Sequence, residues 1–163
     1  MNVRTIAASA AALLALGSAP AIANPTGDAE AGAKVFAKCQ TCHVIADADG
    51  NVLGGRNAKT GPNLYGLPGR VAGTYEGFNY GESIVAVGAG GYAWEEEGFV
   101  AYVANPVDFL REKTGDKSAK SKMSFKLPKE EDARNVYAYI ASLSPAADAA
   151  AAPAEGEAAP ASN

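Results

Sequence analysis

The chain has 163 residues and a formal net charge of −4, so it lacks the basic field that nucleic-acid binding needs. Its two cysteines and single histidine are too few for a closed four-ligand zinc site. Of its two methionines, Met1 and Met123, only Met123 survives if the N-terminus is processed.

Residues 1–23 read as a secretory signal, with Arg4 in a short positive start, an apolar run from Ile6 to Leu16, and small residues at Ala21-Ile22-Ala23. The run is short beside the roughly 20 apolar residues that a membrane span requires. Cleavage after Ala23 starts the mature chain at Asn24, and loss of Arg4 takes the net charge to −5. The expected compartment is the periplasm.

From Asp28 to Lys38 an N-cap aspartate precedes apolar residues at helical spacing, Ala29, Ala33 and Phe36. Gly32 on that stripe permits close approach of another helix. The helix runs into Cys39-Gln40-Thr41-Cys42-His43, a C-x-x-C-H sequence. That pattern attaches c-type haem: two thiols add to the vinyl groups and the adjacent imidazole reaches the iron. The three-residue spacing brings both thiols out on one side of a helical turn. A thioredoxin-like redox pair, a zinc half-site and a disulfide are the competing readings. The first wants a βαβ setting that the helical and loop-like flanks do not offer. The second lacks a fourth ligand, and the third leaves His43 unexplained.

Residues 47–73 are rich in Gly, Asn and Lys, with turn signals at Asp49-Gly50-Asn51 and Gly54-Gly55. A loop of this length signals function or a cofactor contact. A short helix is expected over Gly81 to Val87. Another starts at Trp94-Glu95-Glu96-Glu97, where acidic residues suit a helix N-terminus, and stops at Asn105-Pro106. Val107 to Arg111 adds about one turn.

Met123 lies among polar and basic residues, an odd place for a core gap-filler. One imidazole and one thioether together suit a His/Met haem, the ligand pair of electron-transfer cytochromes. The last helix is the clearest: Ala133, Val136, Tyr137, Ile140 and Leu143 recur at three- and four-residue steps after Pro128. Residues 145–163 are Ala, Pro, Glu, Gly and Ser with almost nothing else, which reads as a disordered acidic tail. No segment alternates as a strand should, and Asn51-Val52-Leu53 is at most a short extended piece. The reading is a single all-α domain over residues 24–144, of about five helices around a covalently bound haem.

The order Cys39-to-His43, Gly61-Pro62-Asn63-Leu64-Tyr65-Gly66, Trp94, Tyr102, Pro106 and Lys122-Met123-Ser124-Phe125 resembles class I c-type cytochromes. It is most similar to the cytochrome c2 and cytochrome c-550 group of alphaproteobacteria, with Thr114 to Lys120 as that group's insertion. The resemblance implies one haem c on Cys39 and Cys42, with His43 and Met123 as axial ligands. It implies that the Pro62 carbonyl orients the His43 ring, and that Tyr102 lies beside Met123. It places Tyr80, Trp94 and Arg70 near a haem propionate, and crosses the first and last helices near Gly32 and Tyr137.

The implied function is a soluble monomeric one-electron carrier, not an enzyme. A cytochrome bc complex is its implied donor, and a photosynthetic reaction centre, terminal oxidase or denitrification enzyme its acceptor. Seven basic residues between Arg111 and Lys129 bracket Met123 and suit transient docking to acidic surfaces. The alternative is a haem-based peroxidase or gas sensor with a displaceable Met123, for which the sequence provides no second histidine as distal acid or base.

Overall fold

Asp28 caps the first helix as its spacing predicts: the carboxylate accepts the Ala31 N–H at 2.9 Å, opening α1 (Ala29–Phe36). The computed structural model describes residues 24–145. The expected signal segment and all but the first residue of the expected tail therefore lie outside the described residues. Beyond Phe36 the chain keeps turning, with Gln40 N–H on Phe36 O and His43 N–H on Cys39 O. The cysteine segment thus extends the helix end.

A small antiparallel hairpin follows, β1 (Val44–Ala46) against β2 (Val52–Gly55), with an irregularity between Ile45 and Ala46. This corrects the expectation that at most one extended piece exists. A three-residue strand is too short to show a period of two, and its partner ends in two glycines. Asp47 closes the turn by accepting N–H groups from Asp49 and Asn51, and its Asn51 bonds hold its pKa below the usual carboxylate value.

Four more helices complete the fold: α2 (Glu82–Ala89), α3 (Glu96–Ala104), α4 (Pro106–Thr114) and α5 (Glu130–Ser142). The fourth is longer than the single turn expected. Pro106 ends α3 and also occupies the first turn of α4, where a missing N–H costs nothing. Gly115, at φ +69°, terminates α4 in the left-handed conformation. Pro128 lies just outside α5, whose N-cap is Lys129.

The largest helix–helix contact joins α1 and α5. A Cβ built on Gly32 would sit 1.9 Å from the Asn135 carbonyl oxygen and 2.8 Å from Tyr139 Cβ. The crossing therefore faces Asn135 and Tyr139 rather than Tyr137. Asn135 and Tyr139 are four apart and share a face of α5, whereas residues two apart point elsewhere. Tyr137 turns into the core against Phe99, with ring centroids 5.5 Å apart. Asn135, the one buried polar residue among the described residues, accepts the Asp28 N–H at 2.7 Å and so joins the start of α1 to the crossing.

Gly32→Val should lower unfolding stability of the haem-loaded protein by about 3 kcal/mol, because the neighbours are backbone and cannot move aside. A denaturant midpoint unchanged from the parent protein would refute this close-packing account.

Candidate haem site

Segments far apart in the chain converge on a cavity of about 320 Å³. The turn at the end of α1 supplies Cys39, Cys42 and His43. The loop before α2 supplies Tyr80, α3 supplies Tyr102, and the stretch before α5 supplies Ser121, Met123 and Phe125. Phe78, Ile84 and Leu110 add apolar wall. The cavity is the kind of water-poor space that an apolar cofactor fills.

Cys39 and Cys42 form no disulfide, which leaves both sulfurs for haem attachment. Before attachment, burial pushes the Cys39 thiol up to about 11. His43 is held by one bond: Nδ1 lies 2.9 Å from the Pro62 carbonyl oxygen. A carbonyl only accepts, so Nδ1 carries the proton and the Nε2 lone pair is left free. Burial lowers the His43 pKa, with the Pro62 bond opposing it, and favours the neutral ring that a metal takes.

Gly61 has a role that its place in the sequence motif did not reveal. A Cβ there would lie 2.4–2.9 Å from three atoms of the His43 ring. Its N–H donates to Cys42 O at 2.7 Å, which ties the loop to the cysteine turn. A glycine directly before a proline is the only sequence signal for such an approach. Asn63 then locks the loop against β1, accepting the Ala46 N–H and donating to Ala46 O.

Across the cavity, Met123 is partly buried against the core, and its N–H donates to Ser121 Oγ at 3.0 Å. Tyr102 Oη approaches the same hydroxyl at 3.5 Å, a loose contact. Burial raises the pKa values of Tyr102 and Tyr80, so both phenols stay neutral and can donate. Ser121 was not singled out by the sequence, and only its spacing of two from Met123 marks it.

Two expected site residues sit back from the cavity. Trp94, 5% exposed, packs behind Tyr102 with ring centroids 5.1 Å apart, and stacks on Phe109 at 5.9 Å. It supports the wall and does not line it. Arg70 donates to Asn63 O at 3.0 Å and Tyr65 O at 3.1 Å, and lies over the Tyr75 ring. Burial lowers its pKa, and among the described residues no carboxylate pairs with it. A largely buried cation braced only by carbonyls suits a site that brings its own anions.

The residues present therefore fit a haem. Two thiols, a neutral imidazole and a thioether line one apolar cavity, and an unpaired guanidinium lies behind it.

Comparison with known proteins agrees. The family model for cytochrome c matches residues 29–144. The chain is 58% identical over 131 residues to a cytochrome c2 of Cereibacter sphaeroides, covering 80% of this chain and 90% of that protein. It is 46% identical over 162 residues to cytochrome c-550 of Paracoccus versutus, covering 97% and 99%. Among solved structures, cytochrome c2 from Rhodobacter sphaeroides superposes with a TM-score of 0.70 at 60% identity, covering 71% of this chain and 95% of that one. The chain belongs to the cytochrome c family, in the cytochrome c2 and c-550 group of class I c-type cytochromes: an electron carrier and not an enzyme, with one haem c held covalently through Cys39 and Cys42.

Proposed function

We propose that the chain is a periplasmic one-electron carrier in which His43 and Met123 fill both axial positions of the haem iron. Residues 1–23 direct export and are removed, residues 24–144 form the haem domain, and residues 145–163 follow as a tail. One observation carries the reading. The single histidine, fixed through Nδ1 to Pro62, and the single methionine beyond Met1 line the same cavity.

When bound, haem supplies an iron centre that takes and gives one electron. Every other contribution comes from the chain. Pro62 keeps the His43 tautomer fixed, which orients the ring and raises its basicity as a ligand. The Met123 thioether and the apolar walls favour the reduced, less charged state and raise the potential. Tyr80, Tyr102 and Arg70 supply donors and positive charge around that site, and Trp94 backs Tyr102. With His43 and Met123 both holding the iron, no place would be left for O₂ or a substrate, which argues against peroxidase or sensor chemistry.

Partner docking draws on the cations near the cavity mouth. Lys38, Lys120 and Lys122 line it. Of the basic residues from 111 to 129, Lys113 pairs with Glu112, and Lys129 pairs with Glu131 and Asp132. Arg111, Lys117, Lys120 and Lys126 have no ion-pair partner among the described residues, so their charge remains for steering. A cytochrome bc complex as donor, and a reaction centre or terminal oxidase as acceptor, follow from the family reading. Each would meet a monomer transiently through acidic surface.

Three outcomes test the reading. Met123→Ala should abolish the Met–Fe(III) charge-transfer band and let the reduced protein bind carbon monoxide, which the unaltered protein should refuse. Ready carbon monoxide binding by the unaltered protein sinks the closed-site claim. Gly61→Ala should push the His43 ring off Pro62 and cost about 2 kcal/mol of stability in the loaded protein, with a lowered reduction potential. Electron-transfer rates with an acidic partner should fall steadily as salt shortens the Debye length below about 10 Å; salt-independent rates would count against docking by the lysines.

A further inference from the structure

The end of α5 rests on the hairpin. A Cβ on Gly54 would sit 3.1 Å from Leu143 Cδ1. The Ser144 hydroxyl accepts the Gly66 N–H at 2.9 Å and donates to Ile140 O at 2.7 Å. These contacts fix the place from which the chain continues past Pro145. Beside it, β2 exposes two adjacent apolar residues, Val52 at 45% and Leu53 at 42%. The strand then runs into Arg56 and Lys59, both exposed and both without an ion-pair partner among the described residues. Lys59 directly precedes Thr60 and Gly61 of the cavity wall.

Residues 146–163 have the opposite chemistry. They carry Asp148, Glu155 and Glu157, hold no basic residue, and are otherwise mainly alanine. We propose that these acids bind Arg56 and Lys59, laying the segment over Val52 and Leu53, so that the chain supplies its own acidic occupant for this side of the cavity rim.

Reach permits it. From Gly54 to Lys59 the chain can span at most about 18 Å. Asp148, three residues past Pro145, extends roughly 10 Å and meets Arg56. Glu155 and Glu157, farther along, have roughly 30–40 Å and reach Lys59. Charge sets the direction. The other end of α5 begins with Glu130, Glu131 and Asp132, and the hairpin turn carries Asp47 and Asp49, so both repel an acidic segment. Arg56 and Lys59 follow the strand end that lies away from that turn. Each exposed pair alone is weak, but tethering holds the acids at an effective concentration on the order of millimolar. Alanine methyl groups also take Val52 and Leu53 out of water. An acidic partner seeking the same rim must first displace the segment. That consequence rests on the docking reading given above, whereas the contact itself does not.

A water-soluble carbodiimide joins an amine to a carboxylate only where the two already touch. In the haem-loaded protein at low salt, it should link Lys59 Nζ to Asp148, Glu155 or Glu157 within the monomer, as read by peptide mass spectrometry. Salt at about 0.3 M should suppress the links. Links spread evenly over the lysines, or none to Lys59, refute the contact. Asp148→Asn/Glu155→Gln/Glu157→Gln should shift the backbone amide resonances of residues 52–59, and unchanged resonances there refute it as well. With hexacyanoferrate(III) as an anionic oxidant, this triple variant should react about threefold faster at low salt. In an Arg56→Gln/Lys59→Gln background the same three changes should alter the rate by less than about 1.5-fold. An equal gain in both backgrounds means that a general field acts and refutes competition for the rim. If Lys59 links form while the rates ignore salt, the contact stands and the docking reading falls.

Discussion

The absence of a side chain at Gly32 is the constraint from which the rest of the shell follows. With a Cβ there, the backbones of α1 and α5 could not approach as they do. Since α1 turns directly into Cys39 and Cys42, the crossing also fixes where the thiols stand. Asn135 strengthens the same point, giving the Asp28 N–H a buried partner at the helix start. Gly27 adds a second close approach, with no room for a Cβ against the Arg134 backbone. Close contact replaces length here. An eight-residue helix is too short to be stable alone, and it persists because one face is pressed on α5.

The site is then assembled by loops that the helices hold at their ends. The 61–65 stretch has no regular structure, yet nearly every polar group in it is used. Gly61 bonds to the cysteine turn, Pro62 to the imidazole, Asn63 to β1, and the Asn63 and Tyr65 carbonyls to Arg70. Such a loop is as fixed as a helix, because releasing it leaves buried donors and acceptors without partners. The methionine stretch is held differently. Its ties are fewer and its side chains more exposed, so His43 and Met123 sit on supports of unequal stiffness.

What the sequence disclosed follows the range of the interaction behind each feature. α1 and α5 were legible because burial on one face imposes a repeat that local sequence must obey. The cysteine pentapeptide was legible because covalent chemistry demands fixed spacing, and Met123 because no other candidate thioether remains. The β1–β2 hairpin stayed hidden because strands this short leave no period to read. α4 was legible only as the turn over Val107 to Arg111, because Pro106 acts as a stop for one helix and a start for the next. Gly61 acts through a contact with the His43 ring, many residues away, and a glycine in a loop carries no mark of it. Trp94 is an intermediate case: its burial was foreseeable, but its place behind Tyr102 depends on the packing of Tyr92, Tyr102 and Phe109.

The distribution of charge has a structural cause as well as a functional use. α3 and α5 both begin with runs of acidic residues, Glu96 and Glu97 in one and Glu130, Glu131 and Asp132 in the other, where the helix dipole favours negative charge. The two runs meet at Arg134, which bridges Glu96, Glu97 and Glu130 and is held above its usual pKa mainly by Glu130. Much of the negative charge is therefore placed by helix geometry, and Lys129, at the N-cap of α5, is paired with two of those acids. Lys117, Lys120 and Lys126, in the irregular stretch before it, pair with no carboxylate among the described residues, so their field reaches solvent. Folding thus fixes many of the acids at helix starts and leaves unpaired bases around Met123, so an acidic chain keeps a local excess of positive charge beside its haem cavity.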